Sequence, residues 1–93
     1  MIKSFADKST EEFWKTGKNK KIPSTIRKRA YRKLQLLHAA AELEFLKAPP
    51  SNRPEKLSGD RKGFYSVRIN QQFRIVFSWK NGHAENVEIV DYH

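Results

Sequence analysis

A chain of 93 residues without cysteine makes one domain, 1–93, and excludes disulfide staples and thiolate metal sites. At this length only about 60–65% of the unfolded surface is buried, so the core is thin and the eleven aromatic residues carry much of it. Nineteen Lys and Arg against ten Asp and Glu give a net charge of +9, which points to polyanionic or acidic partners. No apolar run approaches the roughly 18 residues of a membrane span, and MIKSFADKST lacks a signal-peptide core. The expectation is a soluble, cytoplasmic protein with no membrane partner.

The opening MIKSF alternates and predicts a short strand. STEEFW carries a capping-box pattern, Ser9 with Glu12, and predicts a short helix around Phe13 and Trp14 that Gly17 ends. KNKKIP is a basic loop. Ser24, after Pro23, predicts the cap of a longer helix. Ile26, Ala30, Leu34, Leu37 and Ala41 recur at threes and fours and mark its buried face, with Arg27, Lys28, Arg32 and Gln35 opposite. This helix is expected to bend near residues 40–41 and to end before Pro49 and Pro50, with Leu43 and Leu46 extending its apolar face.

Beyond the proline-rich APPSNRPEK the period drops from about 3.6 to 2. FYSVRI sets Tyr65, Val67 and Ile69 against Ser66 and Arg68. FRIVFSW sets Phe73, Ile75, Phe77 and Trp79 against Arg74, Val76 and Ser78. AENVEIVDY supplies a last strand, and RINQQ and KNGH are the hairpin links, with Asn81 and Gly82 a strong turn signal. The pattern predicts an α+β fold: an N-terminal strand, two to three helices, then an antiparallel β-meander with the helices packed on one sheet face.

Three groups of residues suggest chemistry. Lys18, Lys20, Lys21, Arg27, Lys28, Arg29, Arg32 and Lys33 form an acid-free basic stretch, readable as a contact for RNA or ribosome, a surface for an acidic protein segment, or a solvated face. Arg68 and Arg74, on the outward sheet face beside a serine, are candidates to hold a phosphodiester through planar guanidinium donors. Asp91, Tyr92 and His93 close the sequence with three groups able to accept, donate or orient protons; His93, beside the terminal carboxylate, suits a general acid. Counting back from Val87 and Ile89 as core puts Asp91 on the core side of the strand. His38 reads as a packing residue and His83 as a turn residue. No histidine pair has metal-ligand spacing with carboxylate support, so no metal or other cofactor is expected.

LSGDRKGFYSVRINQQFRIVF followed by VEIVDYH resembles the HigB-like toxins (plasmid killer proteins) of the RelE/ParE superfamily. The match covers 57–93, the opening MIKSF and the helical pattern between them. The resemblance implies the toxin of a type II toxin–antitoxin system with a RelE-like fold, which cuts mRNA in the ribosomal A site without a metal by attack of the RNA 2′-hydroxyl on its own phosphate. It assigns phosphate stabilisation to Arg74 and proton transfer and positioning to Asp91, Tyr92 and His93. Its implied partners are the ribosome, mRNA and a HigA-like helix-turn-helix antitoxin, with a toxin–antitoxin complex that binds operator DNA. The chain departs from the pattern just before GDR, where catalytic members carry a histidine and a lysine and this sequence has Glu55, Lys56 and Ser58. Glu55 is then a candidate base, with Lys56, Arg53 and Arg68 candidate phosphate contacts. The alternative is a non-nucleolytic inhibitor of the same fold that acts by binding gyrase or by disturbing ribosome assembly.

Overall fold

The structure is a computed structural model, and it describes residues 1–91. Two helices, α1 (Lys8–Thr16) and α2 (Arg27–Ala39), precede four strands: β1 (Glu55–Lys56), β2 (Phe64–Arg68), β3 (Phe73–Lys80) and β4 (His83–Asp91). Three short 3₁₀ turns at Leu43–Lys47, Pro50–Asn52 and Gly59–Arg61 fill the connections. The strands form one antiparallel sheet in the order β1-β2-β3-β4, so neighbours in sequence are neighbours in space. The expected α+β meander with helices on one face is the observed architecture.

The predicted opening strand is reduced to two parallel bridges along β4, Ile2 to Ala84 and Phe5 to Val87. It cannot form a continuous ladder because β4 bulges between them. Val76 pairs with Glu88 and Ser78 with Glu85, leaving two residues of β4 opposite Phe77 alone. The extra residue, Asn86, has φ of 54°. It donates its N–H to Ser4 Oγ (2.9 Å) in place of a ladder bond.

Both predicted caps are displaced. Ser9 lies inside α1, whose N-cap is the extended Asp7; no side chain caps the helix. Pro23 starts a turn closed by Ile26 N–H to Pro23 O (3.1 Å), which holds Ser24 two residues short of the cap at Ile26 and delays α2 to Arg27. Gly17, with φ of 78°, does end α1, its N–H reaching the Phe13 carbonyl (2.7 Å). α2 ends at Ala39, with the extended Ala40 as its C-cap, and Leu46 re-enters the core from the following 3₁₀ turn.

The core lies between the helices and one sheet face. Phe13, Ala30, Leu34 and Leu37 meet Val67, Ile75, Phe77, Ala84 and Val87 there. Alternation places Ile75 and Phe77 inward as predicted. The opposite face, however, is not open: Ser66, Val76 and Arg74 are buried as well. Residues 53–61 fold across it, with β1 paired to β2 and Arg61 reaching Glu88 (4.0 Å). His38 confirms its packing role, accepting the Ile2 N–H at Nδ1 (3.1 Å) beside the Trp14 ring.

Candidate functional site

Arg74 and Arg68 stand opposite each other on adjacent strands, in register and on the covered face. Two like charges in that relation repel, and the fold separates their duties. Arg68 turns its Nε–H to the Asn70 carbonyl (3.0 Å), at the β2–β3 turn. Arg74 is only 7% exposed. Its Nε–H donates to Ser66 Oγ (2.8 Å), one Nη donates to the Arg53 carbonyl, and the other lies 3.4 Å from Glu55 Oε1. Arg53 has φ of 38°, the left-handed region a non-glycine residue enters only under local compulsion. Backbone, hydroxyl and carboxylate therefore fix the guanidinium plane from several sides.

Arg74 lines one cavity, and its partner Glu55 links that cavity to a second. One, of about 260 Å³, is lined by Arg53, Glu55, Arg68, Asn70, Gln71 and Arg74. The other, of about 400 Å³, runs between β1 and the end of β4, lined by Glu55, Lys56, Ser58, Arg61, Val90 and Asp91 among others. Glu55 belongs to both. The structure thus brings together Arg74, Arg68, Arg53, Glu55, Lys56 and Asp91. Asp91 pairs with Phe73, on the register side the sequence indicates. It is nonetheless exposed, and its Oδ2 accepts from Gln72 Nε2 (2.9 Å). Tyr92 and His93 lie outside the described residues.

The basic stretch is not one surface. Arg27 is turned back onto its own loop, donating to Ile22 O (2.8 Å) and Asn19 O (3.0 Å). Lys18, Lys20 and Lys21 are exposed in the loop before it. Lys28, Arg29 and Arg32 face a shallow depression beside Asn70. Arg29, Arg32 and Lys33 then join Arg68 along a larger groove. Lys33, counted in the same basic stretch, is only 7% exposed. Burial, and then the Arg29 and Arg32 charges, lower its pKa below the ordinary 10.5.

Lys33 is held by a residue that sequence reasoning did not single out. Asn52 is 1% exposed; its Oδ1 accepts from Lys33 Nζ, and its Nδ2 donates to Leu46 O (3.0 Å) and Ala48 O (3.1 Å). Within PPSNRP an asparagine reads as a turn residue, and nothing local signals a partner 19 positions away. Among the described residues no group of three or more His, Asp or Glu side chains is placed to hold a metal. No described helix is long and apolar enough to cross a membrane.

Comparison with known proteins bears on the family and the fold. A family model described as a RelE-like toxin of the type II toxin–antitoxin system HigB matches residues 3–93. The chain is 42% identical over 87 residues to Toxin HigB-1 of Vibrio cholerae serotype O1, covering 92% of each. It is 31% identical to Endoribonuclease HigB of Proteus vulgaris over the whole of both chains. In structure it resembles a chain of the heterotetrameric YoeB–YefM toxin–antitoxin complex from Staphylococcus aureus, with a TM-score of 0.64, 22% identity and coverage of 100% and 98%. At that identity the likeness speaks for the fold.

Proposed function

The chain belongs to the HigB-like family of RelE-type toxins of type II toxin–antitoxin systems, and from that premise we propose that it is an endoribonuclease that cuts mRNA on the ribosome without a metal. The observation that carries this reading is the fixed, nearly buried Arg74 guanidinium on the wall of one cavity, held beside Glu55, which also lines the neighbouring cavity that Asp91 borders. A preorganised cation of this kind stabilises the charge that builds on phosphate oxygens in the transition state.

In the proposed reaction the substrate's 2′-oxygen attacks the adjacent phosphorus and the bond from phosphorus to the 5′-oxygen breaks. The products are a 2′,3′-cyclic phosphate and a 5′-hydroxyl. Glu55, exposed on β1 and within 3.4 Å of Arg74, takes the 2′-hydroxyl proton in place of the family's histidine. Lys56, on the same short strand, and Arg53 add positive charge at the phosphate. His93 returns a proton to the leaving 5′-oxygen, with Tyr92 and Asp91 positioning it. The antitoxin partner is read as a HigA-like helix-turn-helix protein whose complex with this chain binds operator DNA, and the compartment as the cytoplasm.

The Glu55 contact also supports a second reading. A guanidinium already paired with a carboxylate suits an inhibitor that binds a target, gyrase or a ribosome-assembly intermediate, without cutting RNA. Mapping mRNA 5′ ends after induction separates the two. The expected result is new 5′-hydroxyl ends with the wild type and about 100-fold fewer with Arg74→Lys or His93→Ala. Growth arrest without new ends would overturn the nuclease reading. Far-UV circular dichroism of each variant shows that the fold is retained.

A further inference from the structure

The groove on the α2 side of the sheet has no role in the chemistry at Arg74, yet it is a concavity of about 750 Å³. Arg29, Arg32 and Lys33 form its helical wall and Arg68 stands across from them, with Ser51, Asn70 and Gln71 as neutral donors and acceptors. No carboxylate lines it among the described residues. Such an arrangement gathers like charges without neutralising them. The Lys33 ammonium donates to Ser51 Oγ (3.3 Å) and Asn52 Oδ1, both uncharged, and its lowered pKa reflects burial beside two arginines. An anion entering the groove would relieve that repulsion.

The groove also runs into the site already described. Arg68, Asn70 and Gln71 line both it and the cavity that holds Arg74. A polyanionic strand with one phosphate at Arg74 therefore meets Arg68 next, and then the α2 arginines.

We propose that this groove is a backbone-tracking subsite, holding phosphates of the substrate RNA beyond the one at Arg74. The inference rests on the nuclease reading and extends it to the flanking nucleotides. An RNA strand fits better than an acidic peptide. Peptide and protein interfaces draw their energy from apolar anchors in central pockets, whereas this wall offers only Pro49 and Ile69 as apolar side chains. Nucleic-acid interfaces are polar and strongly positive, as here.

The test is binding of a fluorescein-labelled 2′-O-methyl octaribonucleotide, which lacks the attacking hydroxyl, by fluorescence anisotropy across a salt series. Arg29→Gln/Arg32→Gln removes two exposed groove cations, and Lys20→Gln/Lys21→Gln removes two loop cations of equal charge outside it. Each phosphate contact on a single strand contributes about 0.7 to the slope of log Kd against log salt. The groove variant should lose about 1.4 of that slope, which is about 25-fold weaker binding at ~0.1 M salt with convergence near ~1 M. The loop variant should keep the wild-type slope.

Equal losses in both variants, or none in either, would overturn the subsite. So would a hexaglutamate peptide that displaces the octanucleotide more strongly than unlabelled RNA does, since the groove would then serve an acidic protein segment. The assay uses uncleavable RNA, so its failure is distinguishable from failure of the nuclease reading. An unchanged slope with persisting mRNA cleavage removes the subsite alone; the expected slope loss without cleavage removes the nuclease alone.

Discussion

Lys33 carries an ammonium into a position only 7% exposed, where water solvates it poorly and Asn52 and Ser51 offer no opposing charge. Arg29 and Arg32 flank it on α2, and Arg68 from β2 lines the same groove. Its folded pKa therefore lies below the 10.5 of the unfolded chain. Between those two values the unfolded chain binds more protons, so stability rises with pH across that window. Below the folded value the full penalty of the buried charge is present. Lys33→Met removes the titration. The melting temperature of the wild type relative to Lys33→Met should rise as pH is raised toward about 10, followed by calorimetry at fixed ionic strength. A difference that stays flat with pH would mean that Lys33 titrates as a free lysine. None of this was legible in the acid-free run around Lys33, since periodicity places a residue on a helix face but does not say what covers that face.

The elements were legible where side-chain pattern and backbone agree, and the helix starts were misread where a turn intervened. Period-2 alternation identified β2 and β3 correctly because Val67, Ile75 and Phe77 face one core. In β4 the buried residues are Ala84 and Val87, three apart, because Asn86 is inserted between their registers. The bulge decides which face every later residue of β4 takes, Val90 and Asp91 included, because a one-residue slip reverses them all. Asn86 is suited to its φ of 54°, and a β-branched side chain is not. Asn86→Val should cost about 1–2 kcal/mol in urea denaturation, and Asn86→Gly should fall close to the wild type. Equal stability of all three would remove the strain argument. The helix starts failed for a related reason. A serine with a glutamate three positions on satisfies the capping pattern, but Asp7 and the Pro23 turn set the chain direction before either serine is reached.

At the scale of the whole molecule, +9 on 93 residues sets two opposing salt effects. Self-repulsion loosens the free protein, and the same field draws it to polyanions. Raising salt from about 0.05 to about 0.5 M should therefore raise the melting temperature of the free protein while weakening its binding to RNA. A melting temperature that falls over this range would show that ion pairs such as Arg74 with Glu55 outweigh the repulsion. The sequence by itself determined the fold class, the family, the net charge and the candidacy of Arg74, because alternation, helical spacing and motif letters are properties of neighbouring residues. Only the tertiary structure decided that residues 53–61 cover the outer sheet face and bury Arg74 against Ser66, Arg53 and Glu55. It alone divided the basic stretch too, sending Arg27 to its own loop and Arg29, Arg32 and Lys33 to a groove shared with Arg68. Both outcomes depend on contacts between segments far apart in the chain. Local pattern carries no information about such contacts, and packing chooses among the covers that the pattern allows.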